Sequence, residues 1–131
     1  MKTKKITVRT SRREELIDIT GEILEFVRES GISEGKITIF IPHTTAAVTI
    51  NENADPTVQR DITFILNKLV PKLPNYHHLE GNSDAHVKSS LIGCSQDVFI
   101  SDGSLLLGTW QGIYFCEFDG PRHRTAILRI D

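Results

Sequence analysis

Ile6 and Val8 alternate with polar residues in the opening stretch KKITVRT, the two-residue period of a half-buried strand. From Thr20 the period lengthens. Ile23, Leu24, Phe26 and Val27 form one helical stripe, with Thr20 placed to cap it and Gly31 to stop it. KITIFI (36–41) is a β-branched strand closed by Pro42, and TTAAVTI (44–50) follows as a second strand. DPTVQRDITFILNKLVP is the clearest helix: Asp55 caps it, Pro56 takes the first helical position, and Val58, Ile62, Ile65, Leu66 and Leu69 recur at helical spacing before Pro71. AHVKSSLIG suits a short helix ended by Gly93. The remainder predicts strands: DVFIS, an Asp102-Gly103 turn, SLLLG, TWQGIYFCEF and, after a Gly120-Pro121 turn, RTAILRI. Helices and strands are interspersed without strict alternation. That pattern predicts an α+β fold, one compact domain over 1–131 with a mixed or antiparallel sheet.

A chain of 131 residues can bury roughly two-thirds of its unfolded surface, so neither disulfide nor metal is needed merely to fold. The formal charge of −2, with Lys and Arg scattered apart from Lys2, Lys4 and Lys5, argues against nucleic acid as a partner. No apolar segment follows those lysines, so we expect neither signal peptide nor membrane span, and the cytoplasm as compartment. Cys94 and Cys116 both sit among apolar neighbours and are expected to be buried free thiols.

Candidate chemistry concentrates in HHLEGNSDAH (77–86), which holds three of the five histidines. Adjacent His77 and His78 must point in different directions, so one of them is idle. Asp84 and His86 share a face if that part is extended, and Gly81 permits the turn that folds the halves together. Histidines beside a carboxylate suit a metal site, but the spacing matches no self-sufficient motif such as HExxH, and a polar loop capping the next helix explains the stretch equally well. If 43–51 is one extended segment, His43, Thr45, Thr49 and Asn51 lie on one polar face, opposite a core face of Thr44, Ala46, Val48 and Ile50. In TWQGIYFCEF, Trp110, Tyr114, Cys116 and Phe118 face one way and Thr109, Gln111, Ile113, Phe115 and Glu117 the other. This is a central strand buried on both sides at Phe115 and Phe118. Gly112 marks a bulge or a close approach, and Gln111 and Glu117 are polar exceptions that need partners. No P-loop, GxGxxG, GxSxG or CxxC is present.

PHTTAAVTINENADP, the Tyr-x-His element, EGNSDAHVKSSLIG, the Asp-Gly turn and LGTWQGIYFCEFDGPR together resemble the YjbQ-like family of secondary thiamine-phosphate synthases, from about residue 10 to the end. The resemblance implies a compact α+β fold assembled as a homotrimer, with polar pockets near subunit contacts that hold a metal or an anion. Matched motif by motif, it implies His43, Thr44 and Thr45 from HTT, and His78 from Tyr-x-His with His77 in the variable middle position. It likewise implies Asp84 and His86 from the acidic turn, Asn51, Glu52 and Asn53 from NEN, and Gln111 from GTWQG. The implied reaction joins a pyrimidine-methyl diphosphate to a thiazole phosphate and releases pyrophosphate. It needs positive charge on the leaving diphosphate and a dry pocket.

On that reading His43, His78 and His86 hold a divalent metal ion (Zn or Mg), and Asp84, His86 and Glu52 are the catalytic candidates. Thr44, Thr45, Asn51, Lys88, Gln111 and Arg122 bind the substrate, a small phosphorylated metabolite. Two other classes fit the same residues: a metal-dependent hydrolase or phosphatase with Asp84 or Glu52 as base, and a non-catalytic trimer that binds a small anionic metabolite or a metal.

Overall fold

The computed structural model describes residues 2–131. Among them the elements run β1 (Lys2–Arg9), β2 (Glu15–Asp18), α1 (Thr20–Ser30), β3 (Gly35–Phe40), β4 (Ala46–Glu52), α2 (Thr57–Leu69), α3 (Ser83–Ile92), β5 (Ser95–Ser101), β6 (Ser104–Leu105), β7 (Gln111–Glu117) and β8 (His123–Ile130). They form a five-stranded sheet ordered β1-β8-β3-β5-β6 and a three-stranded sheet ordered β2-β7-β4. Every pairing among the described residues is antiparallel. The fold is α+β, as the pattern predicts, and the sheet resolves into two.

The inner faces of the two sheets share one core. Ile37, Ile39, Ala126, Leu128 and Ile130 meet Val48, Ile113 and Phe115, with Ile23, Phe26 and Val27 of α1 closing the same cluster. On its other face the small sheet carries Ala47, Cys116 and Phe118 against Leu66 of α2 and Ala85 of α3. The central strand β7 is therefore covered on both sides. Alternation sends Phe115 to one layer and Phe118 to the other.

Local signals set most boundaries. Gly31, at φ 71°, stops α1, while the carboxylate of Asp18, not Thr20, accepts the first free N–H. Asp55 receives the N–H and the hydroxyl of Thr57 at the start of α2. Asp102 (φ 51°) and Gly103 (φ 72°) make the tight turn between β5 and β6. A side chain at Gly112 would meet Asn53 at 2.8 Å, so the close approach predicted there is to a neighbouring side chain. On α2 only Leu66 is buried; Ile65 and Leu69 of the predicted stripe face solvent.

Strand β2 has no periodic signal. After Ser11, SRREELID is charged except for Leu16 and Ile17, yet its last four residues pair with β7 in the register Leu16↔Cys116 and Ile17↔Phe115, so the two apolar residues enter opposite layers. The charged residues before it are used inside. Arg13 forks onto both oxygens of Asp84 (3.1 and 3.2 Å), and the fully buried Lys88 ammonium reaches Glu14 (2.7 Å), Asn67 (2.5 Å) and Asp84 (3.4 Å). Its three N–H donors are thereby all satisfied. Burial alone would raise the Asp84 carboxyl, but Arg13 and Lys88 outweigh it and hold it below the ordinary range.

A second buried pair bridges the two sheets. Arg124 of β8 forks onto Glu117 of β7, with Nε 2.9 Å from Oε1 and Nη2 against Oε2. Thr10 donates to Glu117 at 2.7 Å, and Thr45 accepts from Arg124 at 2.9 Å. Burial would raise Glu117, but Arg124, Thr10 and the N–H of Asp119 more than offset it, and its pKa is lowered. A carboxylate with a lowered folded-state pKa contributes stability that is present above its ordinary value of 4.5 and lost as the pH falls through the folded value.

Glu117→Gln is expected to cost roughly 3–5 kcal/mol at pH 7 by leaving Arg124 buried without its counter-charge. The gap from wild type should narrow in urea melts as the pH falls below 4.5 and through the lowered folded value, where the native carboxylate is itself lost. Asp84→Asn is expected to cost about 2–4 kcal/mol in the same melts, whereas the exposed His77→Asn should stay within about 0.5 kcal/mol of wild type.

Candidate functional site

The connection between β3 and β4 is bent. The N–H of Ile41 bonds to the carbonyl of Cys94 (2.7 Å) and that of Val48 to the carbonyl of Gly93 (3.1 Å), which pins both strands to the α3–β5 junction. Residues 41–45 lie outside the strands, so His43 does not continue the face of Thr49 and Asn51. Its ring turns toward β8 instead, where Nε2 accepts the N–H of Thr125 at 3.0 Å. Burial and the nearby charge of Arg124 lower the pKa of His43. A neutral imidazole that accepts at Nε2 must carry its proton on Nδ1, so His43 is fixed as a donor through that nitrogen.

Around this bend lies a cavity of about 660 Å³. The bend contributes His43, Thr44 and Thr45, the loop before α3 contributes His78, Glu80 and Asn82, and α3 contributes His86. The β7–β8 turn adds Asp119 and Arg122, β8 adds Arg124, and Cys94 completes the wall. The rings of His78 and His86 meet edge to face, 5.4 Å between centroids. His77 is not part of this wall; it lines a neighbouring cavity with Lys72, Pro74 and Tyr76, which His78 also borders.

The three histidines therefore share one cavity, but they are not assembled as metal ligands. Among the described residues no three His, Cys, Asp or Glu side chains are grouped to hold one ion, and the Nε2 lone pair of His43 is already engaged. The donor set of a single chain does not fit the expected Zn or Mg.

Several candidate residues lie elsewhere. Asp84 and Lys88 belong to the buried network under α3, which leaves neither free to orient a histidine, act as a base or contact a phosphate from this cavity. Asn51, Glu52 and Gln111 sit where the far ends of β4 and β7 pair. There Glu52 uses its carbonyl on Gln59 and Tyr114, and Gln111 accepts the N–H of Gly108. Thr45 lines the wall but spends its hydroxyl on Arg124. Thr44 and Arg122 remain open to the cavity. Cys94 is exposed, against expectation, because it sits at the mouth where α3 gives way to β5. Cys116 is buried, and burial pushes its thiol up to about 12.

Four further wall residues carry weight beyond the candidates singled out in the sequence. Asp119 binds Arg122 (3.0 Å) and Asn82 (2.7 Å); burial would raise its carboxyl, but these two partners hold it low and ionised. Glu80 stands 4.0 Å from His78 at the rim. Arg124 had a readable signal: in RTAILRI it shares the parity of Ala126, Leu128 and Ile130, and is the one charge on a core-facing stripe. Asn82 is 6% exposed, and its side-chain oxygen has no partner.

A model of the YjbQ-like UPF0047 protein family matches residues 4–130. A UPF0047 protein of Methanocaldococcus jannaschii is 57% identical over 126 residues, covering 96% of this chain and 91% of that protein. The UPF0047 protein YugU of Bacillus subtilis is 50% identical over 128 residues, covering 97% of each. A crystal structure of a YjbQ/UPF0047 family protein from Clostridium acetobutylicum matches with a TM-score of 0.95 at 54% identity, covering 97% of this chain and 98% of that one. A protein of unknown function from Sulfolobus solfataricus matches with a TM-score of 0.94 at 32% identity, covering 98% and 95%. Sequence and fold agree over nearly the whole length, and the chain belongs to the YjbQ-like UPF0047 family.

Proposed function

We propose that the cavity binds a small phosphorylated metabolite and that the protein is a transferase from which diphosphate departs, joining a pyrimidine-methyl diphosphate to a thiazole phosphate. One observation carries this reading. The cavity is walled by three imidazoles and two guanidiniums, its carboxylates are Asp119 and, at the rim beside His78, Glu80, and Asp84 and Glu52, the carboxylates expected to serve as base in hydrolysis, lie outside it. Asp119 is ionised and held by two partners, which makes it a poor proton acceptor. A reaction that needs fixed donors and little proton transfer suits such a wall better than activation of water does.

The bond between the pyrimidine methylene and the diphosphate oxygen breaks with its electron pair leaving on oxygen. The thiazole nitrogen then supplies the pair for the new carbon–nitrogen bond. Arg122 uses Nε and Nη2 on Asp119, so Nη1 is the part of its fork that faces a phosphate oxygen. The Thr44 hydroxyl and the Nδ1–H of His43 are further donors on the same wall. No step is assigned to a metal ion, because the histidines of one chain are not grouped to hold one.

The working assembly in this reading is a homotrimer. Support comes from large apolar side chains left on the surface, among them Phe64, Leu69, Phe99 and Trp110, each more than 60% exposed.

Purified protein given both substrates is expected to release pyrophosphate in step with thiamine phosphate, and Arg122→Gln to lose at least roughly tenfold in kcat/KM, about 1.4 kcal/mol. Inorganic phosphate alone, formed without the thiazole, would favour the hydrolase; binding without turnover would favour the non-catalytic reading. Light scattering at micromolar concentration should give three times the chain mass of 14.7 kDa. A single-chain mass would remove the trimer.

A further inference from the structure

Between α2 and α3 the chain runs from Val70 to Asn82 without a helix or strand. Both ends are fixed. Val70 is buried with its N–H on the carbonyl of Leu66, and Asn82 is buried with its amide held by Asp119. What lies between is loose. Among the described residues no hydrogen bond or ion pair ties residues 71–81 to a helix or a sheet. Their own bonds are local: the Tyr76 hydroxyl donates to the carbonyl of Pro71, the N–H of Gly81 to the carbonyl of His78, and Glu80 faces only Asn82 and His78. A hollow of about 520 Å³ opens within this strap, lined by residues of 72–81 and by no other part of the described chain. Its side chains do not fill the space they enclose, so the strap can change shape without breaking a packed core.

Two of its residues, His78 and Glu80, line the cavity, and Leu79 between them is 100% exposed. A leucine left wholly in water between two wall residues gains nothing in this arrangement, whereas its full burial shifts an equilibrium roughly 10- to 100-fold. Pivots are present at both ends. Gly81, at φ 72°, adjoins the anchored Asn82, and Pro71 adjoins the anchored Val70. The ring of His78 rests edge to face on that of His86, with no hydrogen bond on either of its nitrogens among the described residues. Its N–H is therefore free to turn to an oxygen of an anion.

We propose that residues 71–81 are a lid that closes over an anion bound in the cavity, with His78 donating to the anion and Leu79 turning from solvent onto the cavity mouth. This rests on the cavity being the anion-binding site. With the side chains of His78 45% exposed and of Glu80 68% exposed, the wall is open to water on this side. A cation left behind by a departing diphosphate is captured by water unless the site is shut, and the lid supplies that closure.

Inorganic pyrophosphate is the probe, and deuterium exchange reads the lid. In the free protein the amides of 75–80 are expected to exchange within about tenfold of an unstructured chain, and saturating pyrophosphate to slow them at least roughly tenfold further. Leu79→Ala is expected to bind pyrophosphate roughly tenfold more weakly by calorimetry with an unchanged melting temperature, because the side chain is unpacked until the lid closes. Pyrophosphate that binds without slowing these amides, and binds Leu79→Ala equally well, would overturn the lid and leave the anion site standing. Amides already protected without ligand, together with a lower melting temperature for Leu79→Ala, would also overturn it and place Leu79 in a contact between copies of the chain. Failure of the wild-type protein to bind pyrophosphate would instead remove the site itself, and the lid with it.

Discussion

Arg124 enters the interior from β8 at a position in the alternation otherwise held by Ala126, Leu128 and Ile130, and Glu117 meets it from the last residue of β7. β8 belongs to the large sheet and β7 to the small one, so this pair is a polar bond across a sandwich that is otherwise joined by apolar packing. Each charge would be costly alone, and each is made tolerable by a full set of partners: Thr10 and the Asp119 N–H for the carboxylate, and the hydroxyl of Thr45 for the guanidinium. Those partners come from the end of β1, the bend before β4 and the turn before β8. The pair therefore fixes, at one end of the sandwich, the segments that wall the cavity.

From Glu117 the polar chain runs outward. The N–H of Asp119 bonds to Glu117, its side chain holds Asn82 and Arg122, and Asn82 is the residue from which α3 begins. Under α3 the separate network of Arg13, Asp84, Lys88 and Glu14 ties that helix to the β1–β2 connection and, through Asn67, to α2. His86 rides on the helix that these contacts hold, and His43 is steered by the Thr125 N–H one residue after Arg124. Geometry in the cavity is thus set by buried ionic contacts rather than by the loops that carry the histidines.

What the sequence made legible followed from periodicity. The alternation of β1 and β7, the stripe of α1, the Asp55 start of α2 and the Asp102-Gly103 turn are local, and each declares itself within a few residues. Strand β2 was not legible, because two adjacent apolar residues among charges have no period; its strand character comes from pairing with β7. The site divided in the same way. His43, His78 and His86 were found as residue types with a plausible use, and they do line one cavity. Asp84 and Lys88 look like site residues in the sequence because carboxylates and lysines are rarely buried, and nothing local reveals that Arg13 and Glu14 lie across from them. Glu117 declared itself as a charge on the core parity of β7 that needs a partner, while the matching signal of Arg124, on the core parity of β8, went unread.

Charge balance then decides what kind of recognition this cavity performs. Arg124 is matched by Glu117, Arg122 by Asp119, and His43 is held toward its neutral form. A wall with its guanidiniums already paired attracts anions weakly at long range, since the fields of each pair largely cancel beyond a few ångströms. At contact the same pairs act differently, because each carboxylate fixes its partner's direction and leaves particular N–H groups aimed at the cavity. Selectivity in such a site comes from matching donor to acceptor at fixed positions, where one mismatched group strands a buried polar atom and costs far more than a displaced charge in water. The ionic pairs that lock the fold are therefore also the groups that make the cavity selective by hydrogen-bond direction.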